Sequence, residues 1–144
     1  MRFHASCAAR SGAGGFDAVL LLGASGSGKS DLLLRLLDRG WALVADDQVV
    51  VEAGIVRGAP ELYGLVEIRG VGLFQVPHLE AAPLRLVVRV DGNLSRLPTP
   101  TFHAALAVPE VSVDPFHASA PVKVAYALDA ALGLAGNVVG AFAA

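Results

Sequence analysis

The chain has a single cysteine, Cys7, so no internal disulfide can form, a usage that fits a reducing compartment. It also lacks any apolar run near the roughly 18–20 residues that cross a bilayer. The opening Met1-Arg2-Phe3-His4-Ala5-Ser6 carries one basic residue but no apolar stretch of signal-peptide length. Charge is scarce at 17%, and the eleven Lys and Arg residues are scattered without a basic run. With a net charge of −2, that scatter disfavours a nucleic-acid partner. His78, His103 and His117 show no metal-ligand spacing. No Asn-Lys-x-Asp element for guanine recognition occurs, and the catalytic-loop set of eukaryotic protein kinases is absent. What these absences leave is 144 residues that are 54% apolar, enough to bury a real core. We expect one domain, residues 1–144, in the cytoplasm, with no membrane partner.

Glycine is what the chain has in quantity, and its placement is specific. Gly23-Ala24-Ser25-Gly26-Ser27-Gly28-Lys29-Ser30 fits the G-x-x-x-x-G-K-[ST] phosphate-loop pattern. The apolar run at 18–22 leads in, and Asp31-Leu32-Leu33-Leu34-Arg35-Leu36-Leu37 leads out. That is the strand, turn and helix context the pattern needs. Glycines let backbone N–H groups converge on phosphate oxygens, and the helix N-terminus adds partial positive charge. Lys29 can reach the β- and γ-phosphates, and the Ser30 hydroxyl can ligate Mg²⁺. A nucleoside triphosphate is the expected ligand.

The rest of the chain reads as β-α-β, then mostly β, then a terminal helix. Residues 10–15 are expected to be a turn or loop, because glycine is dense there. The first helix spans 29–38 and ends at Gly40; residues 41–45 form a buried strand ending at Asp46-Asp47. Residues 48–52 and 55–58 read as a hairpin turned at Ala53-Gly54, and 63–69 and 84–90 as further strands. Pro98, Pro100 and Pro109 break the next segment into loop and short extended pieces. A helix capped by Ser119, with Pro121 in its first turn, then runs to about Leu134. The fold class is α/β, with a mixed central sheet and flanking helices rather than a regular doubly wound sheet.

Asp46 and Asp47 stand close after the phosphate loop, at what reads as the carboxyl end of a strand, where α/β sheets bind ligands. One carboxylate there can hold Mg²⁺ and another can take a proton from an attacking hydroxyl; the plainer alternative is a turn. Glu67 and Arg69 share one strand face ahead of Gly70 and Gly72, which composition alone reads as a surface ion pair. Arg96 could clamp a phosphoryl group or simply lie in a solvated loop, and a histidine so near a terminus as His4 is usually on the surface.

Taken together, these elements resemble the catalytic domain of bacterial HPr kinase/phosphorylase, in its short single-domain proteobacterial form. The resemblance rests on residues 23–30, on Arg39-Gly40-Trp41-Ala42-Leu43-Val44-Ala45-Asp46-Asp47, on Val66-Glu67-Ile68-Arg69-Gly70-Val71-Gly72 and on Pro121-Val122-Lys123-Val124. It implies a fold related to phosphoenolpyruvate carboxykinase and an ATP- and Mg²⁺-dependent kinase acting on a serine of HPr, the phosphocarrier of the sugar phosphotransferase system. By the same resemblance Lys29 binds phosphates, Ser30 and Glu67 hold Mg²⁺, Asp47 is the base and Asp46 assists the metal. Arg69 belongs to the family signature, and His4 and Arg96 match a family histidine and arginine. A homo-oligomer, trimer or hexamer, is implied as well. Ala125-Tyr126-Ala127 replaces the Gly-Arg-Asn of the long form, so the dephosphorylation direction stays open. Two rivals share the phosphate loop: a kinase for a small molecule, and a nucleotide-sensing module without turnover.

Overall fold

The fold is seen in a computed structural model that describes residues 1–143. Its first hairpin sets the frame: β1 (Arg2–Gly12) turns through Ala13-Gly14 into β2 (Gly15–Leu22). The expected loop at 10–15 is therefore only a two-residue turn. Gly12 and Gly15 pair directly, and Gly15 takes a positive φ of 111° that a side chain would resist. Helix α1 (Lys29–Asp38) follows as expected. Next comes β3 (Ala42–Glu52), one continuous strand through Asp46 and Asp47, where the sequence suggested an end. Ala53-Gly54, both at positive φ, turns the chain into β4 (Ile55–Gly58).

A short 3₁₀ turn (Pro60–Leu62) leads to a small separate hairpin, β5 (Leu65–Ile68) and β6 (Gly72–Gln75). Then come β7 (Ala81–Arg89), the brief β8 (Glu110–Ser112) and α2 (Ala120–Ala131), which stops short of the expected Leu134. Strands β6 and β8 were not foreseen.

The main sheet is mixed, in the order β2-β1-β3-β4-β7-β8, and a parallel β2–β7 pairing closes its first five strands into a ring. Both faces of those strands are consequently buried over much of their length. Ala5, Cys7 and Ala9 of β1 point into the ring with Ala18, Leu20, Val49, Val56 and Val87. Ala8, Val19, Leu21, Leu86 and Val88 point outward beneath Leu32, Leu33 and Leu36 of α1 and Val124 and Leu128 of α2. The small side chains of β1 suit the narrow interior of so few strands. Each fully buried leucine contributes about 1.5–3 kcal/mol.

Cys7 is fully buried in the ring, and burial pushes its thiol pKa far above the ordinary value. In native buffer the thiol should therefore resist a disulfide-exchange reagent and react fully once the chain is unfolded. Rapid labelling of the native chain would contradict that packing. The sign of the linkage is equally definite. Above the ordinary thiol range the unfolded cysteine loses its proton while the native one keeps it, so stability falls as pH rises there.

Candidate functional site

Strands β2 and β7 run parallel, and their carboxyl ends meet at the glycine-rich loop. The Val90 N–H donates to the Leu22 carbonyl at 2.9 Å, tying the strand ends together just before the loop departs. Gly26 and Gly28 sit at φ 80° and 103°, which only glycine adopts without strain, so successive N–H groups can turn toward one centre. At Gly23 the need is space: a Cβ there would lie 2.6 Å from Ser27 Oγ and 2.7 Å from Val90 Cγ2.

Lys29 opens α1 and is buried, its Nζ donating to the carbonyls of Gly23 at 2.7 Å and Ala24 at 2.9 Å. The ammonium thus spans the loop it begins from. Ser27 Oγ is buried with no partner among the described residues, an orphan hydroxyl suited to a ligand oxygen. These donor chemistries fit a polyphosphate.

Ser30, one residue into the helix, donates its hydroxyl to Asp46 Oδ1 at 3.1 Å. The Ser6 hydroxyl of β1 donates to the same oxygen at 2.8 Å. Asp46 is therefore the bolt between loop, helix and sheet. Ser6, buried and opposite Asp46 in register, was missed by the sequence reading, as no motif flags a strand serine.

Asp47 raises a geometric question, because neighbours in a strand face opposite ways. Its register partner, Ala5, points into the ring, so a regular strand would send Asp47 inward as well. Instead Asp47 has φ 103°, and its carboxylate lies on the outer face, with Oδ1 3.1 Å from His4 Nε2. Such a conformation in a non-glycine residue costs about 1–3 kcal/mol. It brings both aspartates against outer-face residues of β1: Asp46 against Ser6, and Asp47 against His4. His4 and Asp47 are each 59% exposed, open to a second molecule.

Not every sequence-derived candidate joins this group. Glu67 and Arg69 are exposed on the small β5–β6 hairpin, Glu67 in β5 and Arg69 in the turn that follows it; neither forms an ion pair among the described residues. Ser30 meets Asp46 rather than Glu67 here, and no group of three potential metal-ligating side chains forms among the described residues. Hydroxyl and carboxylate oxygens at Ser30 and Asp46 still suit a hard cation that keeps several waters, as Mg²⁺ does. Arg96 lies exposed in the irregular segment after β7. Asp91, two residues after β7, is a further residue that the sequence reading did not single out; its Oδ2 accepts the Ala24 N–H at 2.9 Å. An apolar strand ending in aspartate beside the loop strand was the available signal.

Beyond His4 and Asp47 opens a cleft of about 720 Å³, lined by Arg2, Gln48, Val50, Arg57, Glu61 and Tyr63 among others. Site and cleft together bring a glycine-rich loop with a buried lysine, a hydroxyl and carboxylate pair, and a carboxylate in contact with histidine to the edge of an open space. Among the described residues no helix is long and apolar enough to cross a membrane.

Comparison with known proteins gives a consistent result. The family described as HPr Serine kinase C-terminal domain matches residues 3–81. Curated relatives include HPr kinase/phosphorylase of Caldicellulosiruptor bescii, 48% identical over 87 residues, covering 52% of this chain and 28% of that protein. The protein of the same name from Leptothrix cholodnii is 41% identical over 110 residues, covering 63% of this chain and 34% of that one. The chain thus spans about a third of the length of these curated relatives. Among solved structures, the Hpr(Ser) kinase/phosphatase from Coxiella burnetii superposes with a TM-score of 0.65 at 23% identity, covering 86% of each chain. That likeness establishes the α/β fold with its mixed sheet.

Proposed function

The chain belongs to the HPr serine kinase C-terminal domain family, and from that premise we propose that it transfers the γ-phosphoryl group of ATP to a serine hydroxyl of HPr or an HPr-like phosphocarrier. The observation that carries this reading is the bolt at Asp46. By binding Ser30 and Ser6 together, it ties the start of α1 to β1 and β3, which supports a role for the adjacent Asp47 next to a phosphate held by the loop. Residues 23–30 act as a P-loop, cradling the phosphates with backbone N–H groups, while Lys29 leaves its loop carbonyls to neutralise developing charge. Ser30 and Asp46 would hold Mg²⁺, which would supply positive charge against the phosphates. Glu67 and Arg69 would join from the β5–β6 hairpin by moving toward the loop.

Asp47 orients the serine hydroxyl and accepts its proton as the oxygen attacks phosphorus; His4 holds the carboxylate toward the acceptor side. Run in reverse, the same carboxylate returns the proton to the leaving seryl oxygen, and Ala125-Tyr126-Ala127 bears on whether that direction survives. Kinship of the fold with phosphoenolpyruvate carboxykinase, a cytoplasmic location and a trimeric or hexameric assembly belong to the same proposal. Sedimentation as a monomer at all concentrations would remove the last of these.

The cleft would also admit a small hydroxyl-bearing molecule, which keeps a small-molecule kinase as the second reading. A coupled ADP-release assay with Mg-ATP separates the two. Turnover should appear on adding HPr and be absent without it. Turnover with small hydroxylated acceptors but none with HPr would favour the rival.

A further inference from the structure

Register places two arginines on one surface of the cleft. Arg2 of β1 stands opposite Val50 of β3, and Val50 stands opposite Arg57 of β4. Directly opposed residues share a face. The flanking Val49 and Val51 are buried in the ring interior, so Arg2, Val50 and Arg57 all belong to the outer face. Three adjacent strands put the two arginine backbones about 10 Å apart, a span two long side chains can close.

Both arginines are exposed and line the cleft, and neither forms an ion pair among the described residues. Arg10, Arg35, Arg85 and Arg89 each have a carboxylate partner, and of the arginines without one among the described residues only Arg2 and Arg57 line this cleft. The other charged groups of the cleft are accounted for: Asp47 contacts His4, and Glu61 on the 3₁₀ turn reaches neither arginine closely enough to pair.

The outer face of β1 therefore carries functions in sequence. Ser6 meets Asp46 at the nucleotide side, His4 meets Asp47, and Arg2 comes last, about 7 Å of strand beyond His4. The phosphate loop occupies one end of that line, so the second reactant has the other. At about 720 Å³ the cleft exceeds what one phosphate or carboxylate needs and suits a short stretch of polypeptide.

Resting on the kinase reading above, we propose that this cleft is the acceptor subsite. Arg2 and Arg57 there grip an anionic group, a carboxylate or a phosphate, that the acceptor protein carries beside its reactive serine. Guanidinium forks are matched to such groups, and a paired contact fixes orientation as well as affinity. The two arginines position the acceptor and do not touch the phosphoryl group in transfer.

The test is steady-state kinetics of the 144-residue chain with Mg-ATP and HPr, comparing wild type with Arg2→Gln, Arg57→Gln and the double variant. Each single change should raise KM for HPr about tenfold, the size of one lost charge-assisted contact. KM for ATP and kcat should stay within about twofold of wild type. Added salt should raise KM for HPr in wild type and much less in the double variant, since screening acts on a contact the variant lacks. Arg→Lys at each position should restore part of the affinity, which a packing defect would not allow. A KM for HPr unchanged in the variants, with a wild type that does form phosphoserine, would overturn this subsite and leave the kinase standing. Absence of phosphoserine with wild type would overturn both. To separate a carboxylate from a phosphate on the acceptor, HPr can be treated with phosphatase beforehand: a raised KM points to phosphate, an unchanged one to carboxylate.

Discussion

Changing Asp47 to Asn should lower phosphoryl transfer by about 10²–10⁴-fold, the usual contribution of a positioned general base, while nucleotide binding stays near wild type. The separation follows from where the contacts lie. Asp47 touches His4, whereas Lys29 braces the loop carbonyls and Ser30 contacts Asp46. Asparagine keeps the size and tolerates the φ of 103°, since Asn and Asp are the non-glycine residues that most readily enter positive φ. The amide cannot take the proton. Single-turnover transfer alongside equilibrium binding of a fluorescent ATP analogue would check both halves. Full transfer in the variant would remove Asp47 from the base role; lost ATP binding would mean that it serves the nucleotide instead.

The second large effect is expected at Lys29. Replacing it with Met keeps the aliphatic stem in its buried setting but deletes the ammonium that spans the Gly23 and Ala24 carbonyls. Two losses should follow. The phosphates lose their nearest fixed positive charge, costing on the order of 10²–10³ in kcat, as for removal of one preorganised donor to a developing anion. The loop also loses its internal brace, so affinity for ATP should fall by about tenfold or more. The Asp47 and Lys29 variants thus have different signatures: one binds and fails to transfer, the other does neither well. Transfer and affinity near wild type in Lys29→Met would show that the ammonium does not serve the phosphates.

Much of the glycine-rich loop and its flanks was legible from residues alone. A phosphate loop is a local device, made by one strand, one turn and one helix start, so its chemistry is written in consecutive letters. The strand, the turn and the helix start around Lys29 and Ser30 were foreseen for that reason. The Ala53-Gly54 turn and the break at Gly40 were found for a similar one, because each depends on backbone freedom at a single residue.

What escaped was what depends on pairing between distant strands. Ser6 matters because β1 lies beside β3, and nothing near Ser6 in sequence announces that neighbour. Residues 10–15 read as loop because glycine was weighed by composition, yet the hairpin needs glycine only at its turn and partner pair. Asp46-Asp47 read as a strand end because aspartate is rare within strands. In fact β3 runs on, and the positive φ at Asp47 lets two adjacent carboxylates serve one face. Closure of five strands into a ring was likewise unavailable from periodicity, since each strand is buried on both sides. Glu67 and Arg69 were singled out by resemblance, and their hairpin stands apart from the main sheet, so their part in the site is a proposal.

The most direct test of the central claim is to identify the residue that receives the phosphoryl group. Purified chain, HPr and Mg-ATP would be incubated, and HPr then analysed by intact-mass and fragment mass spectrometry. One phosphate per HPr, on a serine and dependent on Asp47, is the expected result. HPr recovered unmodified while ATP binds normally would contradict the account and leave a nucleotide-binding domain with some other acceptor or none.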